Sequence, residues 1–530
     1  MSLSTFFGLN IGVSALDTMQ QAEDVVANNI SNANTPGYVQ EAPQLQETTA
    51  YPPIPAQDQP IMGGQLGQGT YVSEVTRETN AFVNEQDRTN QSNYSMYQTY
   101  HTNLSQIESI LNEPSSNSMQ NAVDQFFSAW QTLSTDPSNT AARESVIAEA
   151  QTLGQTFQTI TTQLESLQSN LVGQIQNQVQ ELNQYASEVA QLNNQIVQIN
   201  AMNPGQTQAG QNTQSESPNQ LLDQRGYILD QMSKLANISY AQVTGDAFAV
   251  SIGAGPTLVT LVNGSWTYTP LATATLLPSA TSLVTSTANA TSPLGVTLSE
   301  ITSGSIAGNA QGLNYTDQLL ANLDSFLSSF ASQVNTVQGQ GYPLSGSSTT
   351  AQITATAGGN TYNYGDLFTS ATTASGNLVL SINPLFLQTS GTNFIAASNA
   401  PNQPGNNANA MQMINLQTNP ITATYTSYSG YTISSNPSYQ SSSYSQASTA
   451  DQYMASLVSN LGVETSAVKS SEATANALAQ QSSNLRQSIS GVDTNDQAAK
   501  MVEYQNSYDA AAKFISVYDQ MLQSLINMIP

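Results

Sequence analysis

Residues 501–529 read MVEYQNSYDAAAKFISVYDQMLQSLINMI. In this stretch Met501, Tyr504, Tyr508, Ala511, Ile515, Tyr518, Leu522, Leu525 and Ile529 recur at steps of three and four, in unbroken alternation. A mean repeat of 3.5 residues marks the seam of a coiled coil, not the broader face of a globular helix. At 1.5 Å rise per residue such a helix is about 43 Å long. Beside the seam stand Phe514, Val517, Met521 and Met528, and a helix apolar around more than one stripe needs more than one neighbour. The nearest candidate lies at the other end of the chain. There Leu9, Gly12, Leu16, Met19, Val26 and Ile30 form a second stripe, which stops at Asn32-Ala33-Asn34-Thr35-Pro36-Gly37. The residue before a proline is pushed out of helical space, so that stop has a cause.

Between these ends the apolar period changes twice. Helical spacing runs from Phe82 through Tyr97, Tyr100, Leu104, Ile107 and Leu111 to Glu113-Pro114, and again from Ala122 through Phe126, Phe127 and Trp130 to Asp136-Pro137. The longest periodic stretch starts near Ala141 and carries apolar residues through Ile199 with no internal proline, too long for an ordinary globular helix. A further helix from Pro218 to Leu235 should fold back on it. From Ile238 to about Asn309 short β-type runs alternate with Gly, Pro and Asn, and one helix, Asp317 to Val337, interrupts the β pattern. The Pro/Gly-rich span Tyr51–Gly69 reads as extended loop, and the Ser/Tyr-rich span Ser427–Ser448 as loop or linker. Helix returns from Asp451 to about Ser488. The expected fold is mainly α with a β-rich middle (α+β), elongated and multidomain. Residues 1–40 and 489–530 form paired terminal helices, 70–240 and 405–488 a long-helix bundle, and 241–404 a β-rich outer domain.

Composition narrows the function. With 9 Lys+Arg against 35 Asp+Glu the net charge is −26, yet only 8% of residues are charged. Such a chain lacks the cations that grip nucleic acid or an anionic membrane. No apolar run approaches the ~20 residues that span a bilayer, and Met1-Ser2-Leu3-Ser4-Thr5-Phe6-Phe7 lacks the positive region of a secretory signal peptide. Cysteine is absent, which removes disulfide and thiolate chemistry, and one histidine rules out a His-based zinc cage. His101 has no nucleophile or orienting acid nominated for it and reads as structural. Ser466-Ala467-Val468-Lys469 matches an acyl-transfer pattern without its companion motifs. Gly64-Gln65-Leu66-Gly67-Gln68-Gly69 has no lysine or preceding buried strand and reads as a turn. Asp493 and Asp496 stand near a helix start, where a capping role is favoured over a cation site.

The stretch Ala27-Asn28-Asn29-Ile30-Ser31-Asn32-Ala33-Asn34-Thr35-Pro36-Gly37-Tyr38 resembles the N-terminal signature of the flagellar axial proteins, the family of rod, hook and hook-associated proteins. The C-terminal stretch resembles the matching signature at Ser490-Gly491-Val492, Tyr504-Gln505, Tyr508, Ala510-Ala511-Ala512-Lys513-Phe514-Ile515 and Met521-Leu522 with Leu525. The interior is similar to the hook-associated members at Leu66-Gly67-Gln68-Gly69, Phe126 to Leu133, Ala141-Ala142-Arg143, Asn219 to Arg225 and Leu323-Asp324. Two departures thin the charge: Gln40 stands where the family usually has arginine, and Asp493 to Gln497 carries a weaker acidic pair.

The resemblance implies a non-enzymatic structural protein of the extracellular flagellum that connects hook to filament and is needed for filament assembly. It implies no catalytic residue, cofactor or metal. It implies as partners copies of this chain, the hook protein, the second hook–filament junction protein, the flagellar export apparatus and an export chaperone. The family motif maps to Asn28, Asn29, Asn32, Asn34, Thr35, Pro36, Gly37 and Tyr38. The expected assembly interface is Leu9, Leu16, Met19, Val26 and Ile30 with Tyr504, Tyr508, Ile515, Tyr518, Leu522 and Leu525. One rival in the same class is a hook or distal-rod protein, which would go from its N-terminal signature into mostly β-structure. A rival in another class is a secreted wall hydrolase with a helical spacer, which needs two carboxylates across a cleft.

Overall fold

The computed structural model describes residues 7–50, 66–111, 118–202, 218–253, 255, 257–271, 282–284, 295–297, 301–428 and 441–527. The chain opens with helix α1 (Phe7–Asn32), then a two-stranded antiparallel ribbon of β1 (Glu41–Glu47) and β2 (Thr70–Arg77). Helices α2 (Ala81–Leu111), α3 (Met119–Thr135), α4 (Thr140–Met202) and α5 (Asn219–Leu235) follow. A four-stranded antiparallel meander comprises β3 (Ile238–Thr244), β4 (Ala247–Ile252), β5 (Thr257–Val262) and β6 (Ser265–Tyr268). Short strands β7 (Ser282–Val284) and β8 (Gly295–Thr297) pair with each other. Next come α6 (Ser305–Gln340) and two hairpins, β9 (Thr354–Ala357) with β10 (Asn360–Asn363), and β11 (Phe368–Thr372) with β12 (Leu378–Ile382). The chain then runs through α7 (Ala408–Asn415), the hairpin of β13 (Ile421–Tyr428) and β14 (Ser441–Ser448), α8 (Ala450–Ser490) and α9 (Thr494–Asn527).

Helix α4 has 63 residues and so extends about 95 Å. A compact chain of this length has a radius of gyration of only about 24 Å. The molecule is therefore built around a rod, as the uninterrupted periodicity predicts. Local chemistry fixes where helices begin. Ser118 accepts from the Asn121 amide at α3, Asn139 Oδ1 accepts from Ala141 and Ala142 at α4, and Thr449 with Gln452 forms a capping box at α8. The corner between α3 and α4 is held by Arg143, which is 1% exposed and donates to the carbonyls of Pro137, Thr392 and Ile395. Burial pulls its pKa down to about 10.

One apolar core runs without interruption from Met96 on α2 to Val468 on α8. Its centre is aromatic. Phe126 and Phe127 of α3 meet Phe330 of α6 edge-on at 5.8 and 6.1 Å, and Phe326 stacks on Phe157 and Tyr453 at 5.7 and 5.5 Å. The meander lies against α4, where Asn193 and Asn194 side chains donate to the carbonyls of Phe248 and Trp266. His101 bridges α2 to α8, its Nδ1 lying 2.7 Å from Glu472 Oε2. Among the described residues no helix is long and apolar enough to cross a membrane.

The structure departs from the sequence expectations in three places. Helix α6 starts at Ser305, well before Asp317, and ends at Gln340. Gly308 and Gly312 read as breakers, but they sit where α6 crosses α2 most closely. A Cβ on Gly308 would stand 2.5 Å from the Met96 carbonyl oxygen, and one on Gly312 would stand 2.6 Å from Asn103 Nδ2. The span Ser441–Ser448 is strand, not linker, because it pairs in register with β13 from Ile421↔Ser448 to Tyr428↔Ser441; residues 429–440 lie outside the described residues. The ribbon β1–β2 had no alternating apolar signal to announce it. Most of the expected loop 51–69 lies outside the described residues, as does the helix stop at Glu113-Pro114.

Two outcomes test this packing. Gly308→Ala should lower the thermal midpoint although alanine favours helix by about 1 kcal/mol, since overpacking costs about 1–3 kcal/mol. Gly173→Ala, on α4 with nothing within 4 Å of the new Cβ, should raise it or leave it unchanged. Asp317 on α6 accepts from Gln168 Nε2 at 2.5 Å, yet burial pushes its pKa from the ordinary 3.8 up to about 6. A carboxyl with a raised folded pKa holds its proton more tightly in the fold, so its contribution is full below pH 4 and lost as pH rises through 6. Burial moves Asp223, Asp324, Asp366 and Asp451 in the same direction. Asp317→Asn should therefore raise the midpoint by a few degrees, at roughly 1 °C per kcal/mol for a chain of this length, at neutral pH and have no effect in strong acid; calorimetry at both ends reads the difference.

Candidate assembly interface

Helices α1 and α9 come from opposite ends of the chain and lie against each other. Small residues set their separation. A Cβ on Gly8 would stand 2.6 Å from the Tyr518 ring, and one on Gly12 2.6 Å from Ile515 Cγ1. Helix α1 also carries the β1–β2 ribbon, since Ser14 and Thr18 hydroxyls donate to the Thr70 carbonyl. Of the α1 seam residues, Val26 is buried, while Leu9, Leu16, Met19 and Ile30 are half-buried. On α9, Tyr504, Ile515, Tyr518 and Leu522 are half-buried, and Tyr508 faces outward with Ser507 taking the inner position. The side chain of Leu525 lies outside the described residues. Thr18 and Ala22, buried on α1, carried no apolar-stripe signal in the sequence.

The pair leaves much of itself uncovered. Among the described residues of α9 only Gln497 is buried. Val502, Phe514, Val517, Met521 and Ile526 on α9 and Val13 on α1 are exposed, from 46% to 66%. Neither helix contributes a residue to the apolar core that unites the rest of the molecule. Exposed large apolar side chains concentrated on one pair of helices point to a surface that a partner covers.

The motif turn joins this pair to the bundle through polar contacts. Asn29, 1% exposed, uses its whole hydrogen-bonding capacity. Its Nδ2 donates to the Glu41 carbonyl at 2.8 Å and to Gln497 Oε1 at 3.0 Å. Its Oδ1 accepts from the Tyr38 hydroxyl at 2.7 Å and the Glu41 amide at 2.9 Å. The Gln40 amide donates to the Ser490 carbonyl at 2.9 Å, so both ends of the chain are clasped at one level. Asn28 and Asn32 form a more exposed ladder, Asn32 Nδ2 donating to Asn28 Oδ1 at 2.9 Å and Thr35 Oγ1 to Asn32 Oδ1 at 3.2 Å. Asn34, Thr35 and Pro36 face solvent. Gly37 has φ +82°, and a Cβ there would also stand 2.7 Å from Tyr227 Cβ. Burial, then Glu41 and Asp223, raise the Tyr38 phenol well above its ordinary pKa, so it stays a donor.

Behind the turn is a set of arginine–carboxylate forks. Arg77 at the end of β2 meets Asp223 of α5 at 2.6 Å, and the Val39 amide donates to the same carboxylate at 3.3 Å. Burial raises the Asp223 pKa even with Arg77 beside it. Arg88 of α2 meets Asp230 of α5 at 2.7 Å, and Arg486 of α8 spans Asp230 at 2.7 Å and Asp87 at 3.1 Å. Breaking a buried pair of this sort costs about 3–5 kcal/mol. Arg225 lies deeper, donating to Asn193 Oδ1 at 3.1 Å with its guanidinium 4.3 Å from the Phe248 ring centre. Asp87, Asp230 and Arg486 were not foreseen from sequence, and Ser490 and Gln497 entered only as part of the C-terminal signature stretch. The usable signal was scarcity, because in a chain with 9 basic residues a guanidinium is placed where a planar fork is required.

The remaining sequence candidates resolve locally. Asp493 Oδ1 accepts from the Asn495 amide at 2.8 Å at the start of α9, and Asp496 pairs with Lys500 at 2.8 Å. Ser466 and Lys469 are both exposed on α8. Among the described residues no group of three or more His, Cys, Asp or Glu is arranged to hold a metal ion.

Asn29→Leu fills the same space and leaves the Glu41 amide, Gln497 and the Tyr38 hydroxyl without their partner, each about 1–3 kcal/mol when desolvated. Hydrogen exchange should accelerate in α1, β1 and the first turns of α9 while α3, α4 and α6 keep their protection. Unchanged exchange in α1 and β1 would show that the clasp contributes nothing.

Similarity to known proteins agrees with this geometry. Residues 104–353 match the flagellar hook-associated protein FlgK helical domain. Residues 9–38 match the flagella basal body rod protein family, and 481–528 the flagellar basal body rod FlgEFG protein C-terminal family. The chain is 27% identical to flagellar hook-associated protein 1 of Bacillus subtilis (strain 168), covering 99% of this chain and 98% of that one. It is 24% identical to flagellar hook-associated protein 1 of Escherichia coli (strain K12), covering 98% and 99%. The solved structure of the flagellar hook junction protein FlgK from Burkholderia pseudomallei shares the fold, with a TM-score of 0.55 at 16% identity, over 76% of this chain and 100% of that one. The chain is thus similar along its whole length to flagellar hook-associated protein 1, with rod-type motifs at its ends on either side of the helical-domain match.

Proposed function

We propose that this chain is a structural junction protein of the extracellular bacterial flagellum, which connects hook to filament by packing its paired terminal helices among those of its neighbours. One observation carries the reading: α1 and α9 form a pair with an exposed apolar face, and that pair shares no residue with the core of the bundle. Fully covering a Val, Phe, Met or Ile side chain contributes about 1.5–3 kcal/mol. Repetition of that contact around a ring or helix adds avidity without any new kind of bond. Copies of this chain lie beside it, the hook protein on one side and the second hook–filament junction protein on the other. The flagellar export apparatus, with an export chaperone, delivers it. Residues 1–40 with 489–530 are then the assembly unit, 70–240 with 405–488 the supporting bundle, and 241–404 the outward-facing part.

The helical block from α2 to α5 favours this reading over a hook or distal-rod protein, whose chain would turn to β-structure after the N-terminal signature. Against a wall hydrolase, the carboxylates behind the motif turn, Asp87 with Asp230 and Asp223, are tied up by arginines.

Ile515→Asp tests the proposal. It sets a carboxylate against Gly12 in the seam, a burial that is costly unless the group is neutralised. The main thermal transition should stay within about 1 °C, because the bundle core lies elsewhere, while incorporation at the hook tip is lost and filament subunits escape into the medium. In strong acid the carboxyl protonates and part of the incorporation should return. Normal filaments on cells carrying only the variant would overturn the reading.

A further inference from the structure

Beside the motif turn lies a cleft of about 700 Å³, bounded by residues 28–41, by α4 between Tyr185 and Gln195, and by α5 between Gln220 and Ile228. Its wall carries the rings of Tyr38, Tyr185 and Tyr227, the carboxylates of Glu41, Glu188 and Asp223, and no lysine or arginine. Arg77 neutralises Asp223 from behind. Glu41 is bonded only by neutral groups, accepting from Asn28 at 3.3 Å and Asn219 at 2.9 Å. Glu188 accepts from Gln184 at 3.1 Å, and next to it the Tyr185 hydroxyl donates to Glu181 at 2.9 Å. Burial first, and then Glu181, Tyr227 and Glu188, push the Tyr185 pKa up to about 12. Tyrosine faces and unpaired carboxylates around one space are the surroundings that favour an alkylammonium group.

The chain itself has such a group without a home. Lys500 is paired with Asp496. Lys513 is exposed on α9, and among the described residues no carboxylate lies within ion-pair distance of it. It stands beside the exposed Phe514 and Val517, apolar neighbours that also need covering. Lys469 is exposed too, but its neighbours on α8 are Ser466 and Ser470, and Lys234 of α5, also exposed, lines a hollow with Arg88 and Arg486 rather than an apolar surface.

We infer that the cleft receives Lys513 from α9 of a second copy of this chain, its ammonium resting among Tyr185, Tyr227, Glu188 and Glu41. Two chains of net charge −26 repel each other, and a contact that places one of the few lysines in an acidic cleft works against that repulsion while fixing register. Gln497 marks the level of the motif turn, and Lys513 lies further along α9 by about 24 Å, so contacting copies are staggered by that distance. The inference rests on the assembly reading above and specifies which surfaces of two copies meet.

Because the chain has no cysteine, the contact can be trapped unambiguously. Two differently tagged full-length copies, one Glu188→Cys and one Lys513→Cys, are produced together, and isolated hook structures are oxidised. A disulfide-linked dimer containing both tags is expected, with none from either variant alone and none when Lys469→Cys replaces Lys513→Cys. If both variants are incorporated and no dimer forms, or if Glu188→Cys links to Lys469→Cys or to a different protein, the inference is wrong although assembly stands. If the wild-type chain is absent from isolated hooks, the assembly reading fails and takes the inference with it. A charge swap provides the second measurement: Glu188→Lys and Lys513→Glu should each reduce incorporation about tenfold, and the combination should recover most of it. A double variant no better than the worse single one also overturns the inference.

Discussion

The whole molecule is organised by the requirement that its two ends meet. Asn29 and Gln497 are separated by 468 residues, yet their side chains share a hydrogen bond at 3.0 Å inside a desolvated turn. An amide with two donors and two acceptor sites can satisfy four partners, and here it joins α1, the return strand, Tyr38 and α9 in one place. No apolar contact could fix four backbone directions at once. Once this clasp exists, α1 and α9 leave the bundle as neighbours, and the seam between them follows.

Two kinds of cohesion therefore coexist. The bundle is held by bulk burial, with aromatic rings of α3, α4, α6 and α8 in mutual contact. The joint to the terminal pair is held instead by directed bonds, from the Asn29 amide to the forks of Arg77, Arg88 and Arg486. Positive charge is rare on the surface because most of the guanidinium groups are used there or at the Arg143 corner. Partial burial shields these pairs from salt, so the joint depends little on ionic strength.

Most of the helical architecture was legible in the sequence, because a helix writes its buried face as a period and α2, α3, α4, α5 and α8 carry theirs in Leu, Ile, Val and Phe. The failures have physical causes. In α6 the close approach to α2 requires glycine, so Gly308 and Gly312 look like breakers when they are contact residues. In β14 the run SSSYSQAS carries no apolar period, and its strand is set by pairing with β13. On α9 the strict 3.5-residue seam points to Tyr508, whereas in the isolated pair Ser507 turns inward. An α-helix repeats every 3.6 residues and drifts off a strict heptad unless supercoiled against a partner. The candidate site was half legible: the motif residues were named, but the carboxylates and arginines behind them come from α2, α5 and α8, and no local pattern announces a convergence of that kind.

The directed character of the joint has a mechanical consequence. Apolar seams such as α1–α9 resist separation but allow sliding, since their energy depends on area and hardly on angle. Hydrogen bonds and bidentate ion pairs weaken steeply when bent. Torque applied to the terminal pair is thus resisted by the bond angles at Asn29, Arg77 and Arg486, and small axial displacements are taken up along the seam. The joint therefore opposes twisting of the pair against the bundle more than the seam opposes sliding of one helix along the other.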